Sequence, residues 1–220
     1  MKNRIIAIGD VHGCFGQFRE LIEDSIKLRK SDKLILLGDY IDRGNQSKEV
    51  VDYILHLQSR GFNVIPLMGN HEKMLLDAFY DRTSLPLWIS NGGMETLKSF
   101  GISALNDISN NYIEFFNDLE LYYSIDKYLF VHAGFNDEIE NPFDDKYSMT
   151  WVCKSEYRNT SFINKVIIHG HCPIKVKDCT KSIHDNLPVL NLDTGCVYSD
   201  KVGYGKLTAL ELNTMTVYTV

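Results

Sequence analysis

Short apolar runs alternate with amphipathic stretches through the first third of the chain, and no other feature restricts the fold as strongly. Ile5–Ile8, Leu34–Leu37 and Val64–Leu67 are apolar runs that read as buried strands. Behind the first, Phe18, Leu21, Ile22 and Ile26 recur at helical spacing. Behind the second, Val50, Val51, Ile54 and Leu55 do so, with Gly61 placed to close the helix; Met74, Leu75 and Ala78 follow the third. The order β-α-β-α-β-α predicts a mostly parallel sheet and an α/β fold. Open sheets of this kind bind ligands beyond the carboxyl ends of their strands. Each run here ends at that point in a glycine-led polar loop: Gly9-Asp10-Val11-His12-Gly13, Gly38-Asp39-Tyr40-Ile41-Asp42-Arg43-Gly44 and Gly69-Asn70-His71-Glu72.

Beyond the third helix, Thr83 to Asn117 reads as helical with a polar break at Asn91-Gly92-Gly93. Strand-like runs return at Tyr128–Val131, Val166–Ile168, Val189–Leu192, Lys206–Leu212 and Met215–Val220. Asn136 to Asn164 is polar and reads as a surface excursion carrying a turn at Trp151. At 220 residues, with 44% hydrophobic and 24% charged content, one domain over 1–220 with a single large core is expected. No apolar stretch is long enough to span a bilayer, and no signal peptide is expected, because the first residues lack its apolar h-region. Five cysteines without disulfide spacing fit a reducing compartment, so a cytoplasmic location is expected. A net charge of −6 argues against binding nucleic acid through many phosphates, though a small nucleotide substrate stays open.

The three loops, with Val131-His132-Ala133-Gly134, Gly170-His171 and Asp193-Thr194-Gly195 downstream, resemble the calcineurin-like metallophosphoesterases, in particular their phosphoprotein phosphatase branch of bacterial and phage type. The resemblance implies an α/β/β/α sandwich of two mixed sheets flanked by helices. It implies a centre of two divalent metal ions, with manganese foremost and iron or zinc as alternatives. Asp10 and His12 would hold the first ion, Asp39 would bridge, and Asn70, His132 and His171 would complete the second. His71 would protonate the leaving group and Asp42 would orient it. Arg43 would grip the phosphate, with Asn70 beside it. Each residue alone has an ordinary reading: a turn aspartate, a hydrogen-bonded core histidine, an arginine paired with Asp42 or Glu49.

The family's late Trp-x-Arg reads Trp151-Val152-Cys153-Lys154 here, which leaves Lys154 or Arg158 as a substitute phosphate contact. Where relatives carry a second ligand after Gly-His-x, this chain has Pro173, and His169 reads as a strand-end side chain. His56 and His184 read as solvent-facing, the latter in a loop. Asp193 reads as structural, with Tyr198 a candidate substrate contact. Cys14 and Cys172 are expected within a few residues of the ions. The implied substrate is a phosphorylated protein, chiefly phosphoserine or phosphothreonine, or a small phosphoester. The alternatives are a dinucleoside polyphosphate hydrolase and a catalytically silent metal-binding scaffold. The symmetrical tetraphosphate hydrolases usually read Ala-Arg-Gly where this chain has Asp42-Arg43-Gly44, so Asp42 favours the phosphatase.

Overall fold

A computed structural model describes residues 3–220. The expected alternation is present: β1 (Ile5–Ile8), α1 (Phe15–Glu20) widening into a π-helical turn over Leu21–Ile26, β2 (Lys33–Leu36), α2 (Ser47–Ser59), β3 (Asn63–Pro66) and α3 (Asn70–Tyr80). The helical middle comprises α4 (Leu85–Trp88), α5 (Met94–Phe100) and α6 (Asn110–Asn117). Then come β4 (Tyr122–Ile125), β5 (Tyr128–Val131), α7 (Lys146–Trp151), β6 (Val166–His169), α8 (Val176–His184), β7 (Val189–Asn191), β8 (Thr208–Glu211) and β9 (Thr216–Thr219).

Two mixed sheets form, in the orders β3-β2-β1-β8-β9 and β4-β5-β6-β7. In the first, β1, β2 and β3 run parallel, in register Ile6↔Leu34 and Leu34↔Val64, and β8 returns antiparallel against β1. In the second, β5, β6 and β7 are parallel and β4 is antiparallel at the edge.

Strand alternation sorts the side chains into layers. Ile6, Ile8, Leu34 and Leu36 pack with Phe18, Val50, Ile54 and Leu75 of the helices. The intervening Ala7, Ile35 and Leu210 face Phe130, Ile168 and Leu190 of the other sheet. Leu129, Val131 and Ile167 turn to the far side and meet Phe135, Met149 and Phe162. Each fully buried aliphatic chain in these layers contributes about 1.5–3 kcal/mol.

Two expectations are corrected, and one strand is added. The Asn136–Asn164 stretch carries α7 and buries Met149 and Phe162 against the second sheet, so it is more than a surface excursion. His184 closes α8 and does not sit in a loop, although it is exposed as expected. The edge strand β4 was not foreseen, because its residues alternate between exposed and half-buried and Ser124 breaks the apolar run. Among the described residues, no helix is long and apolar enough to cross a membrane.

Candidate metal centre

The loops after β1, β2, β3, β5, β6 and β7 meet at one end of the two sheets. Val11 and His12 both donate their backbone N–H to the Asp39 carbonyl (3.1 and 2.8 Å), which binds the first loop to the second. Glu72, in the first turn of α3, ties the second loop to the third. Its buried carboxylate accepts the backbone N–H groups of Asp39 (2.9 Å), Tyr40 (2.8 Å), Ile41 (3.3 Å) and Gly69 (3.1 Å). Sequence reasoning gave Glu72 no role. His171 N–H donates to both oxygens of Asp10 (3.2 and 2.9 Å), joining the β6 loop to the β1 loop.

Three ligand-type atoms then converge. Asn70 Oδ1, His132 Nε2 and His171 Nδ1 lie 3.0, 3.1 and 3.0 Å from one another. His132 Nδ1 donates to the Leu37 carbonyl (2.8 Å), so its Nε2 is the bare, electron-pair-bearing nitrogen. His12 is arranged likewise: Nδ1 donates to the Ile41 carbonyl (3.0 Å) and Nε2 faces the centre. Asp39 spans the two groups, with Oδ1 3.4 Å from His132 Nε2 and Oδ2 3.4 Å from His12 Nε2. Burial pushes the Asp39 carboxyl up, but the imidazoles of His132, His71, His12 and His171 outweigh it and hold the group well below the usual carboxylate range.

Asp10 lies beside a second buried acid, Asp193, and burial with the neighbouring Asp193 and Asp39 charges drives its pKa well up. Asp193 itself is pushed up to about 7, chiefly by burial. Its Oδ1 accepts the Gly195 N–H (2.9 Å), whereas Oδ2 is buried with no partner among the described residues. Three buried carboxylates and a set of bare imidazole nitrogens form a well of negative charge that is costly without cations. The donor set, oxygen and imidazole with no thiolate, suits two hard or borderline divalent ions sharing Asp39. The residues fit such a pair.

Arg43 points inward, its Nη1 2.6 Å from His12 Nε2. His71 begins α3 next to Asn70 and donates Nδ1–H to Asp42 Oδ2 (2.7 Å). Its Nε2 is buried, has no hydrogen-bond partner among the described residues and lies 4.0 Å from Asp39 Oδ2. Burial pushes the His71 imidazole down, but Asp39 and the hydrogen bond to Asp42 outweigh it and raise its pKa above the ordinary value.

The sequence model of the calcineurin-like phosphoesterases matches residues 3–199. The chain belongs to that family. A curated relative from Anoxybacillus flavithermus, the asymmetrical bis(5'-nucleosyl)-tetraphosphatase PrpE, is 25% identical over 96% of this chain and 92% of its own length. Among solved structures, a putative diadenosine tetraphosphatase superposes with a TM-score of 0.68 at 19% identity, covering 100% of this chain and 94% of that one. A protein serine/threonine phosphatase from Saccharomyces cerevisiae, similar to human phosphatase PP5, gives 0.67 at 16% identity, covering 99% and 79%. These two likenesses show the fold.

This phosphoesterase departs from the expected arrangement at the late loop. Lys154 is ion-paired with Asp137, and Arg158 is paired with the exposed Glu156 (3.3 Å). Cys153 Sγ lies 3.7 Å from the Gly170 carbonyl, the same oxygen that accepts the Cys172 N–H (2.8 Å). Cys14 Sγ lies 3.6 Å from the His12 carbonyl. His169 closes β6, buried, with Nδ1 on the Gly170 carbonyl (3.0 Å).

Proposed function

We propose that the protein hydrolyses phosphomonoesters of alcohols, foremost phosphoserine and phosphothreonine in proteins. The observation carrying this reading is the buried His71–Asp42 pair with a free Nε2 at the candidate metal centre. An alkoxide is a far poorer leaving group than the phosphate of a nucleotide. A purpose-built proton donor is therefore needed most when an alcohol departs. Asp10 and His12 are assigned to one ion, Asn70, His132 and His171 to the other, and Asp39 to both. Two ions bound there supply charge neutralisation and a water of lowered pKa; manganese is the pair proposed, with iron or zinc as alternatives. Arg43 holds the phosphate oxygens through its planar fork, aided by the Asn70 amide. Lys154 would have to leave Asp137 to help, so the main cationic grip is assigned to Arg43. His71, held by Asp42 through Nδ1, delivers its Nε2 proton to the departing oxygen.

An apolar groove of about 830 Å³, lined among others by Met74, Tyr80, Leu87, Tyr147 and Trp151, opens beside the centre. Trp151 stands edge-on to His171 at 5.9 Å between ring centroids. Such a trough supports a peptide chain next to the phosphorylated residue. The second reading is hydrolysis of dinucleoside tetraphosphates, favoured by the likeness to the PrpE enzyme along nearly the whole chain.

The test is a comparison of kcat/KM for a phosphoserine peptide, p-nitrophenyl phosphate and diadenosine tetraphosphate, with manganese saturating. The proposal expects the peptide to be turned over efficiently and to depend most on His71. Rapid tetraphosphate cleavage beside negligible peptide turnover would replace it with the second reading.

A further inference from the structure

Asp42 is fully buried, and its carboxylate collects side-chain donors from three helices. His71 Nδ1 of α3 is on Oδ2 (2.7 Å). Trp88 Nε1 of α4 bridges Oδ2 and Oδ1 (3.0 and 3.2 Å). Thr96 Oγ1 of α5 is on Oδ1 (2.6 Å). Thr96 Oγ1 also accepts the Asp42 backbone N–H (2.9 Å), which Ser47 Oγ shares at 3.1 Å. The bend between α4 and α5 is shaped to this purpose. A side chain at Gly93 would strike the Trp88 ring at 2.5 Å, and one at Gly92, where φ is +108°, would meet the Arg43 backbone nitrogen at 2.6 Å. The Asn91-Gly92-Gly93 break thus lets one segment close over Asp42 and Arg43 together.

We propose that Trp88 and Thr96 are positioning residues for proton delivery. They clamp Asp42 so that Oδ2 stays on His71 Nδ1 and His71 Nε2 keeps its aim at the leaving group. This rests on reading His71 as the general acid. A carboxylate left with one donor could turn about its Cα–Cβ and Cβ–Cγ bonds; one held by three donors on two oxygens cannot. The competing account is that Trp88 and Thr96 only fill the core.

Three substitutions separate the accounts. Trp88→Phe keeps a ring over Gly93 and removes the N–H. Thr96→Val keeps the shape and removes the hydroxyl, and Thr96→Ser returns it. On the phosphoserine peptide, kcat should fall roughly 10- to 100-fold in Trp88→Phe and Thr96→Val, the range for losing a hydrogen bond to a charged group. KM should stay near its wild-type value, p-nitrophenyl phosphate should lose much less, and Thr96→Ser should recover most of the rate. A readout independent of turnover is the low-field proton NMR line of His71 Nδ1–H in zinc-loaded protein, identified by its absence in His71→Asn. It should move or exchange away in Trp88→Phe and Thr96→Val and persist in Thr96→Ser. Equal losses on both substrates with an unmoved line would overturn the clamp. A wild type inert on phosphoserine whose line still answers to both substitutions would defeat the functional reading while upholding the clamp.

Discussion

Asp39 is the residue on which the two candidate ion positions depend, because one carboxylate turns an oxygen to each. Asp39→Asn keeps the shape and halves the donors available to share. Bound metal measured by mass spectrometry should then fall from two ions per chain toward one or none, and activity should vanish with chelator and return with manganese only in the wild type. Retention of both ions by the variant would exclude Asp39 as the bridge. His71→Asn should leave metal content intact and cut kcat on alkyl phosphates by about 10²–10⁴-fold, with a smaller loss on p-nitrophenyl phosphate. Its pH behaviour follows from the raised pKa. The charged imidazole is the form favoured by the fold, so its contribution is complete below the ordinary value of about 6.5 and is lost as pH climbs through the raised one. Turnover of alkyl phosphates should accordingly decline on the alkaline side, and a rate–pH profile of His71→Asn should lack that limb. These residues were legible in the sequence because each sits in a short glycine-bounded motif. Asp193 reads as structural in its own stretch, where nothing shows that it ends up beside Asp10; Trp88 and Thr96 reach Asp42 from 46 and 54 residues away.

Between elements, the joints matter more than the strands. Glu72 holds two loops of the candidate centre to the start of α3 through four backbone N–H groups, so it acts as a fastener inserted into the turn after β2. Glu72→Gln replaces a group with two acceptor oxygens by an amide with one, which can satisfy fewer of them. Unfolding of the metal-free protein in urea should show a loss of roughly 1–3 kcal/mol, the range for leaving buried backbone donors unpaired. A loss indistinguishable from zero would mean that the loops hold themselves. The first three strands and helices were legible because their apolar spacing switches cleanly between the two periods. α8 was not: only Val176, Cys179 and Ile183 recur at helical spacing among lysines and an aspartate. α7 was hidden for another reason, since Lys146 to Trp151 is too short to show a period.

For the molecule as a whole, the two sheets are joined through one apolar layer. Phe130, Ile168 and Leu190 from one sheet meet Ala7, Ile35 and Leu210 from the other. Phe130→Ala should cost about 3–5 kcal/mol and lower the melting temperature without altering metal stoichiometry; loss of bound metal at temperatures where the variant is still folded would show that the core and the centre are coupled. That two sheets stack was legible only through family resemblance, because alternation along a strand reveals a buried face without naming the partner that buries it. Of the ten non-glycine residues with positive φ among those described, five are His12, Asp39, Asp42, Arg43 and His171. Left-handed geometry at a side-chain-bearing residue costs on the order of 1 kcal/mol. Arg43→Gly should therefore raise the melting temperature of the metal-free protein while abolishing turnover, and an unchanged or lower value would show the turn to be relaxed. Laboratory evolution for heat tolerance alone would drift toward such clones: sturdier proteins, each surrendering one piece of its chemistry for every increment of ruggedness.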